Sequence, residues 1–260
     1  MAIGGCSSMA ERCPVEANVA GSIPVSHPRG KTMKSIMEIK SFLIAGGNRT
    51  SLVWDCPKEN RLEISNKLLS SEEQVGFIDE TKDKIPYLAM MGNELCINAM
   101  IALGYALMGN GTFYASGIPD PVRFSNTKND TTITLPITYT HVDNFVLFEG
   151  IGYLCTTKNT KPTKNELKKL AEKYNLPAFG YAVYTNNVLN PYVYVRDVHS
   201  YFLETACGSG SIAIAIMTGR ENITQRTGET IRVKILKDNI SVTANVTEVN
   251  ACLNNTFLLP

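Results

Sequence analysis

Two stretches of this chain are apolar on every side: CINAMIALGYALM over 96–108 and SIAIAIMTG over 211–219. A helix written this way has no face for water and must be enclosed by other elements. Around these two stretches the sequence reads as strands, by alternation or by short apolar runs bounded by turn residues. The pattern predicts strands over 37–44, 50–54, 74–78, 86–91, 121–126 and 131–138 in the first half of the chain. Further strands are expected over 144–156, 178–185, 191–195, 230–236 and 240–247, with Tyr201-Phe202-Leu203 as a short addition. Ala45-Gly46-Gly47-Asn48 and Asn126–Asp130 read as turns. Two polar stretches, 59–70 and the Lys-rich 163–174, read as solvated helices.

Each half therefore places one buried helix after a strand, and each helix begins with a Glu followed closely by a Cys. The two passages are Glu94-Leu95-Cys96-Ile97-Asn98-Ala99 and Glu204-Thr205-Ala206-Cys207-Gly208-Ser209-Gly210. This echo suggests an α/β (α+β) chain of two similar halves, 37–138 and 139–260, facing one another across a cleft. The last strand is free to return to the first half. Residues 1–36 mix Pro, Gly, Ser and small residues without a period, and lack the charged start and apolar stretch of a secretory signal. They are expected to be a disordered extension.

Composition narrows the function. Hydrophobic residues make up 44% of the chain, enough for a substantial core, and the formal net charge is +1 with no basic block. An electrostatic nucleic-acid footprint needs a concentrated basic face, so no nucleic-acid partner is expected. No apolar run approaches the length of a membrane span, so no membrane partner is expected either. Seven cysteines are scattered without a CxxC pair, and there are only three histidines, His27, His141 and His199. That pattern argues against a metal site and against a disulfide scaffold. Reduced thiols in a cytoplasm are the expectation, and His141 and His199 read as surface or satisfied core residues.

The two cysteines at helix starts carry the candidate chemistry. A helix N-terminus exposes unpaired N–H groups and a partial positive charge. A thiol there is expected to have its pKa lowered from about 8.5 toward neutrality, and the same N–H groups can grip a carboxylate. With two such ends facing each other, one thiolate can take an α-proton while the opposite thiol delivers one to the other face. That is stereoinversion by general acid–base catalysis without a cofactor. Cys96 and Cys207 are the expected acid and base. Amides near Ile97, Asn98, Gly208 and Ser209 are the expected carboxylate grip.

The blocks GNELCINA and ETACGSGS, with Asn48 in its glycine turn, resemble the diaminopimelate epimerase fold family. The resemblance implies two similar domains, each a mixed sheet wrapped around a central buried helix, with the site in the cleft between them. Cys207-Gly208-Ser209-Gly210 matches the family's C-G-[NST]-G motif, whereas Ile97 and Ala99 stand where glycines are expected around Asn98. EQVGFI over 73–78, GNELC, and the run from PYVYV through ETACGSG resemble more closely the histidine racemases of staphylopine-type metallophore biosynthesis. This implies an isomerase independent of pyridoxal phosphate that acts on an amino acid, most closely histidine, and works as a homodimer. Asn48, Glu73 and Glu204 are then expected substrate contacts, the two glutamates orienting the ammonium or side chain. Gly150-Ile151-Gly152-Tyr153 stands where those racemases carry a histidine near the pocket.

Two other readings compete. A diaminopimelate or related epimerase would need an Arg for the distal carboxylate, with Arg49 and Arg123 as candidates, because Val198-His199 replaces the family's Glu-Arg pair. A thiol-based redox or ligand-binding protein on the same fold would use Cys96 and Cys207 as a reversible disulfide.

Overall fold

The computed structural model describes residues 37–250. The extension expected over 1–36 lies outside the described residues. Strand β1 (Glu38–Ile44) turns through Ala45 and Gly46, both at positive φ, into β2 (Asn48–Trp54). The polar helix α1 (Arg61–Leu68) follows, then β3 (Gln74–Glu80) and β4 (Pro86–Met90). These lead into helix α2 (Ile97–Leu107), and β5 (Asn110–Ala115), β6 (Ile118–Asn126) and β7 (Asp130–Leu135) follow it. The second half opens with β8 (Thr140–Val142), β9 (Phe145–Leu147) and β10 (Ile151–Thr156). Next come α3 (Lys164–Lys173), the hairpin of β11 (Ala178–Thr185) and β12 (Val188–Val195), and β13 (Ser200–Leu203). Helix α4 (Gly208–Thr218) then precedes β14 (Asn222–Gln225), β15 (Thr230–Ile235) and β16 (Ile240–Val249).

The strands join into one mixed sheet, in which β16 pairs antiparallel with β7, β15 and β1. Because β1 also pairs with β2, strands β1–β7 and β16 close into a ring. Helix α2 touches all eight strands of that ring, and Ile97 through Gly104 are buried without interruption. Enclosure on every side is what its unstriped sequence requires. Helix α4 contacts β9–β12, β14 and β15 in the same way, with Gly208 through Ala215 buried. One continuous apolar core contains residues of both helices. Helix α3 behaves differently. It starts with a Thr163–Glu166 capping box and buries only Leu167 and Ala171, leaving its lysines in water.

Three strands escape the sequence pattern. β5, β8 and β14 carry exposed polar residues at their starts or throughout, so no apolar run announces them. Pairing within the continuous sheet makes them strands, since tertiary partners override weak local preference. The strands expected over 144–156 are β9 and β10, separated by a turn closed by the Phe148 N–H to Ile151 carbonyl bond. Asn48 proves to be the first residue of β2 rather than a turn residue.

Two glycines fix the segment that delivers Cys96. Gly117, at φ +74°, lies against the backbone of Glu94 and Leu95, where a Cβ would collide with Leu95 N and sit 2.6 Å from Leu95 Cα. Gly150 packs against the same segment beside Gly117; its added Cβ would lie 2.5 Å from Leu95 N and 2.8 Å from Gly117 Cα. Backbone on backbone cannot yield as a side chain can. Gly117→Ala is expected to cost about 2–4 kcal/mol, from the positive φ together with overpacking. Urea unfolding checks this, and an unchanged midpoint would mean that residues 94–95 are not held by this contact.

Candidate active site

Both cysteines sit at the N-cap positions of the buried helices, in extended backbone, with their sulfurs turned back onto the first turn. Cys96 Sγ accepts from the Ala99 N–H at 3.4 Å, and Cys207 Sγ accepts from the Gly210 N–H at 3.3 Å. Both are free thiols and buried.

The two helix starts are tied together by Asn98. Its Nδ2 donates to the Ala206 carbonyl at 3.0 Å, and its Oδ1 accepts from the Gly208 N–H at 2.9 Å. One side chain from the first turn of α2 thus brackets the backbone on either side of Cys207. Beside this clasp Gly208 packs on Ile97 so closely that an added Cβ would collide with Ile97 Cγ2 and lie 2.7 Å from Ile97 Cβ. Ile97 stands where the family motif has glycine, and Gly208 supplies the missing space from the opposite helix. The Gly208 amide is already committed to Asn98. The amides of Ile97 and Ser209 have no acceptor among the described residues.

Glu204 is the central acid. It is buried; Oε1 accepts from Gln74 Nε2 at 2.9 Å, and Oε2 has no partner among the described residues. Burial pushes its carboxyl up to about 8, and the charge of Glu73 adds to this. Its charge is felt at Cys207, Cys96 and Tyr153 alike. Glu94, in the segment that leads into Cys96, is likewise buried and is pushed up to about 7 by burial. The Gly92 N–H donates to Glu94 Oε2 at 3.0 Å.

Glu73 is held differently. Oε2 accepts from Asn48 Nδ2 at 2.7 Å and from the Thr205 N–H at 3.0 Å, and Oε1 accepts from the Thr205 hydroxyl at 2.7 Å. Burial still raises its pKa against those hydrogen bonds. Asn48 is wholly buried, with Oδ1 taken by the Thr50 hydroxyl at 2.8 Å, so it reaches the site through Glu73. Glu73 and Asn48, from the first half, therefore grip the segment leading to Cys207.

A small cavity of about 40 Å³ lies among these groups. Glu73, Gln74, Glu94, Cys96, Asn98 and Glu204 line its polar side, with Ile97, Tyr153 and Ser209 at the helix starts. Met90, Met91, Val193, Val195, Val198 and Phe202 form an apolar wall. Cys207 stands directly behind Tyr153 and Ser209. Among the described residues no arginine, lysine or histidine lines this space. Arg49 pairs with Glu72 at 3.2 Å and Arg123 is exposed on β6, so neither supplies the cation that a distal carboxylate would need. His141 is exposed, and His199, whose Nδ1 lies 3.3 Å from the Tyr194 hydroxyl, is not among the residues that line the cavity.

The thiols are not acidic, contrary to what their helix-start positions alone lead one to expect. Burial holds both Cys96 and Cys207 well above the ordinary thiol range, and neighbouring carboxyls push the same way. The helix-start N–H groups pull downward but do not win, because desolvation of a buried charge outweighs one or two sulfur-accepted hydrogen bonds.

Three contributors carry no signal in the sequence pattern. Tyr153 reaches Cys207 from β10. Gln225 accepts from the Cys207 N–H at 3.0 Å and donates to the Ser211 hydroxyl at 2.9 Å. Gln74 holds Glu204. Each sits in an ordinary strand, and only the replacement of a pocket histidine by residues 150–153 pointed toward one of them.

No family model matches the chain. It is 29% identical over 205 residues to a histidine racemase from Fusobacterium nucleatum, covering 65% of this chain and 76% of the relative. A second Fusobacterium nucleatum strain has a histidine racemase 28% identical over the same share. Among solved structures the fold is similar to that of a predicted epimerase from Pseudomonas aeruginosa, with TM-score 0.61 and 8% identity over 86% of this chain and 99% of that one. It is also similar to a probable proline racemase from Agrobacterium radiobacter with bound carbonate, with TM-score 0.54 and 10% identity over 86% and 96% of the two chains. These likenesses agree with the resemblance carried by the Cys96 and Cys207 blocks.

The raised Glu94 carboxyl has a consequence for stability. The folded state holds its proton up to about pH 7, whereas an unfolded glutamate releases it near 4.5. The stabilisation is therefore fully present below about pH 4.5 and is lost as pH rises through about 7. The shift corresponds to about 3 kcal/mol. Glu94→Gln is expected to remove about that much of the fall in unfolding free energy between pH 4.5 and 8, measured by denaturant titration at each pH. Parallel pH profiles for the two proteins would contradict a buried, protonated Glu94.

Proposed function

We propose that this protein is a cofactor-independent amino-acid racemase that inverts the α-carbon with Cys96 and Cys207 as its acid and base, and that histidine is its substrate. The observation that carries this reading is the Asn98 clasp, which ties the two N-cap thiol segments together beside an acid-lined cavity, with Cys96 in its lining and Cys207 behind Tyr153 and Ser209. The similarity to histidine racemases supports the substrate, and the metallophore resemblance supports a role in supplying a D-amino acid to such a pathway.

In this mechanism the substrate carboxylate takes the open amides of Ile97 and Ser209, with Asn98 beside them, at two positive helix ends. The unpartnered Glu204 Oε2 accepts the ammonium, and a basic side chain lies toward Glu94. One sulfur, as thiolate, takes the α-proton, so that a C–H bond breaks and an S–H bond forms. The opposite thiol gives its proton to the other face of the same carbon. Negative charge growing on the carboxylate is stabilised by N–H groups already in place. Burial favours the protonated form of both thiols. The bound ammonium beside Glu204 offsets the carboxylate charges that raise the thiols, and so favours the thiolate. Enclosure of the substrate in the cavity lined by Cys96 and Glu204 excludes water from the reacting groups. A cavity lined by acids and no cation disfavours diaminopimelate, whose second carboxylate would go unpaired.

The test is proton NMR of L-histidine with reduced protein in heavy water. Loss of the α-proton signal is expected, with each of Cys96→Ser and Cys207→Ser slowing it by about a hundredfold or more. Diaminopimelate should exchange far more slowly. Absence of exchange across a panel of amino acids would overturn the racemase reading, and exchange surviving in either serine variant would overturn the two-thiol assignment.

A further inference from the structure

The two thiols do not have equivalent surroundings. Cys96 is hydrogen-bonded by backbone alone, through the Ala99 N–H. Cys207 has side-chain partners as well: the Tyr153 hydroxyl at 3.3 Å and the Ser209 hydroxyl at 3.6 Å from Sγ, and the Glu204 carboxyl, which accepts from the thiol and favours its protonated form. The two hydroxyl oxygens are 2.8 Å apart, so Tyr153, Ser209 and Cys207 form a closed triangle. Tyr153 is fully buried, brought in by β10 beneath the first turn of α4. Gly180 on the paired strand β11 leaves room for its ring, because a Cβ there would collide with Tyr153 Cε1 and lie 2.8 Å from Cδ1.

A tyrosine hydroxyl has one proton and two neighbours here. We propose that Tyr153 is a positioning residue that serves Cys207 alone, donating to its sulfur when Cys207 is a thiolate and turning to Ser209 when it is a thiol. The proposal rests on the racemase reading for its purpose, though not for its test. When Cys207 gives its proton to the substrate carbon, the S–H bond breaks and the sulfur is left charged. The Tyr153 O–H then swings onto the sulfur, and the Ser209 O–H donates to the tyrosine oxygen in its place. When Cys207 takes an α-proton, the S–H bond forms and the triangle reverts. No proton enters or leaves the hydroxyl pair.

The charged or titratable groups facing Cys207 are Glu204 and Tyr153 itself. Glu204 opposes the thiolate, and Tyr153 is the side chain that favours it. Removing the tyrosine hydroxyl therefore leaves Cys207 with its carboxyl neighbour and one fewer donor. Cys96 makes no hydrogen bond to Tyr153 and serves as an internal reference.

The test uses the full, reduced chain and its Tyr153→Phe variant, with methyl methanethiosulfonate as a small neutral probe at pH 8. Modification of Cys96 and Cys207 is followed separately by peptide mass spectrometry. Loss of one hydrogen bond to a charged sulfur is expected to lower the Cys207 rate about tenfold or more relative to Cys96. An opened cavity would raise that rate, so a fall is not an effect of access. The thermal midpoint shows whether the variant folds. Should it not fold, Ser209→Ala takes its place: that change removes the competing acceptor, so Cys207 should react as fast or faster. An unchanged Cys207-to-Cys96 ratio in Tyr153→Phe, or a tenfold fall in Ser209→Ala, would overturn the proposal. Absence of racemisation with the predicted change in thiol reactivity would count against the enzyme reading and leave the Tyr153 assignment standing.

Discussion

The site depends on one side chain that holds two helix starts together. Asn98 donates to the carbonyl of Ala206 and accepts from the amide of Gly208, so the first turn of α2 is hydrogen-bonded to the backbone on both sides of Cys207. A hydrogen bond between buried neutral groups adds only about 1 kcal/mol net, but leaving such a group unpaired costs more. The clasp therefore acts chiefly by making other arrangements of the two helices expensive. Gly208 against Ile97 sets how close the helices come, and Gly117 and Gly150 against residues 94–95 set the approach to Cys96. The clasp and these close glycine approaches together fix the segments that carry the two sulfurs.

Around that frame the electrostatics are arranged for protons. Glu94 and Glu204 are buried carboxyls pushed up to about 7 and about 8, and both thiols are pushed up further. The two carboxyls are thus balanced near neutrality, whereas burial and the Glu204 charge favour the protonated form of the thiols. Burial produces all of these shifts, and burial follows from enclosing two unstriped helices in strands. The same packing that stabilises the fold therefore sets the acid–base character of the site.

The parts of this arrangement legible in the sequence are those written as pattern. The apolar helices, the Cys at each start, and the hairpin β1–β2 with its glycine turn follow from local chemistry. So does α3, whose capping residues Thr163 and Glu166 lie in the chain where its helix begins. What could not be read depends on contacts between distant residues. β5, β8 and β14 are strands because neighbours pair with them. Tyr153 and Gln225 meet Cys207 from strands 54 residues before and 18 residues after it. The direction of the thiol shift is hidden for the same reason: the helix end is visible in the sequence, whereas the depth of burial and the Glu204 carboxyl beside both sulfurs are not.

A two-thiol mechanism differs from a one-base mechanism in that the proton removed from one face of the α-carbon is not the proton delivered to the other. Its most direct test is the early course of the reaction in heavy water, with deuterium counted separately in the L-substrate that remains and the D-product that forms. A two-thiol site predicts that the first product molecules carry deuterium at the α-carbon while the remaining substrate retains its proton, and that the same holds when the reaction starts from the D-isomer. Deuterium appearing in substrate as fast as in product, or product retaining the original proton, would contradict the account.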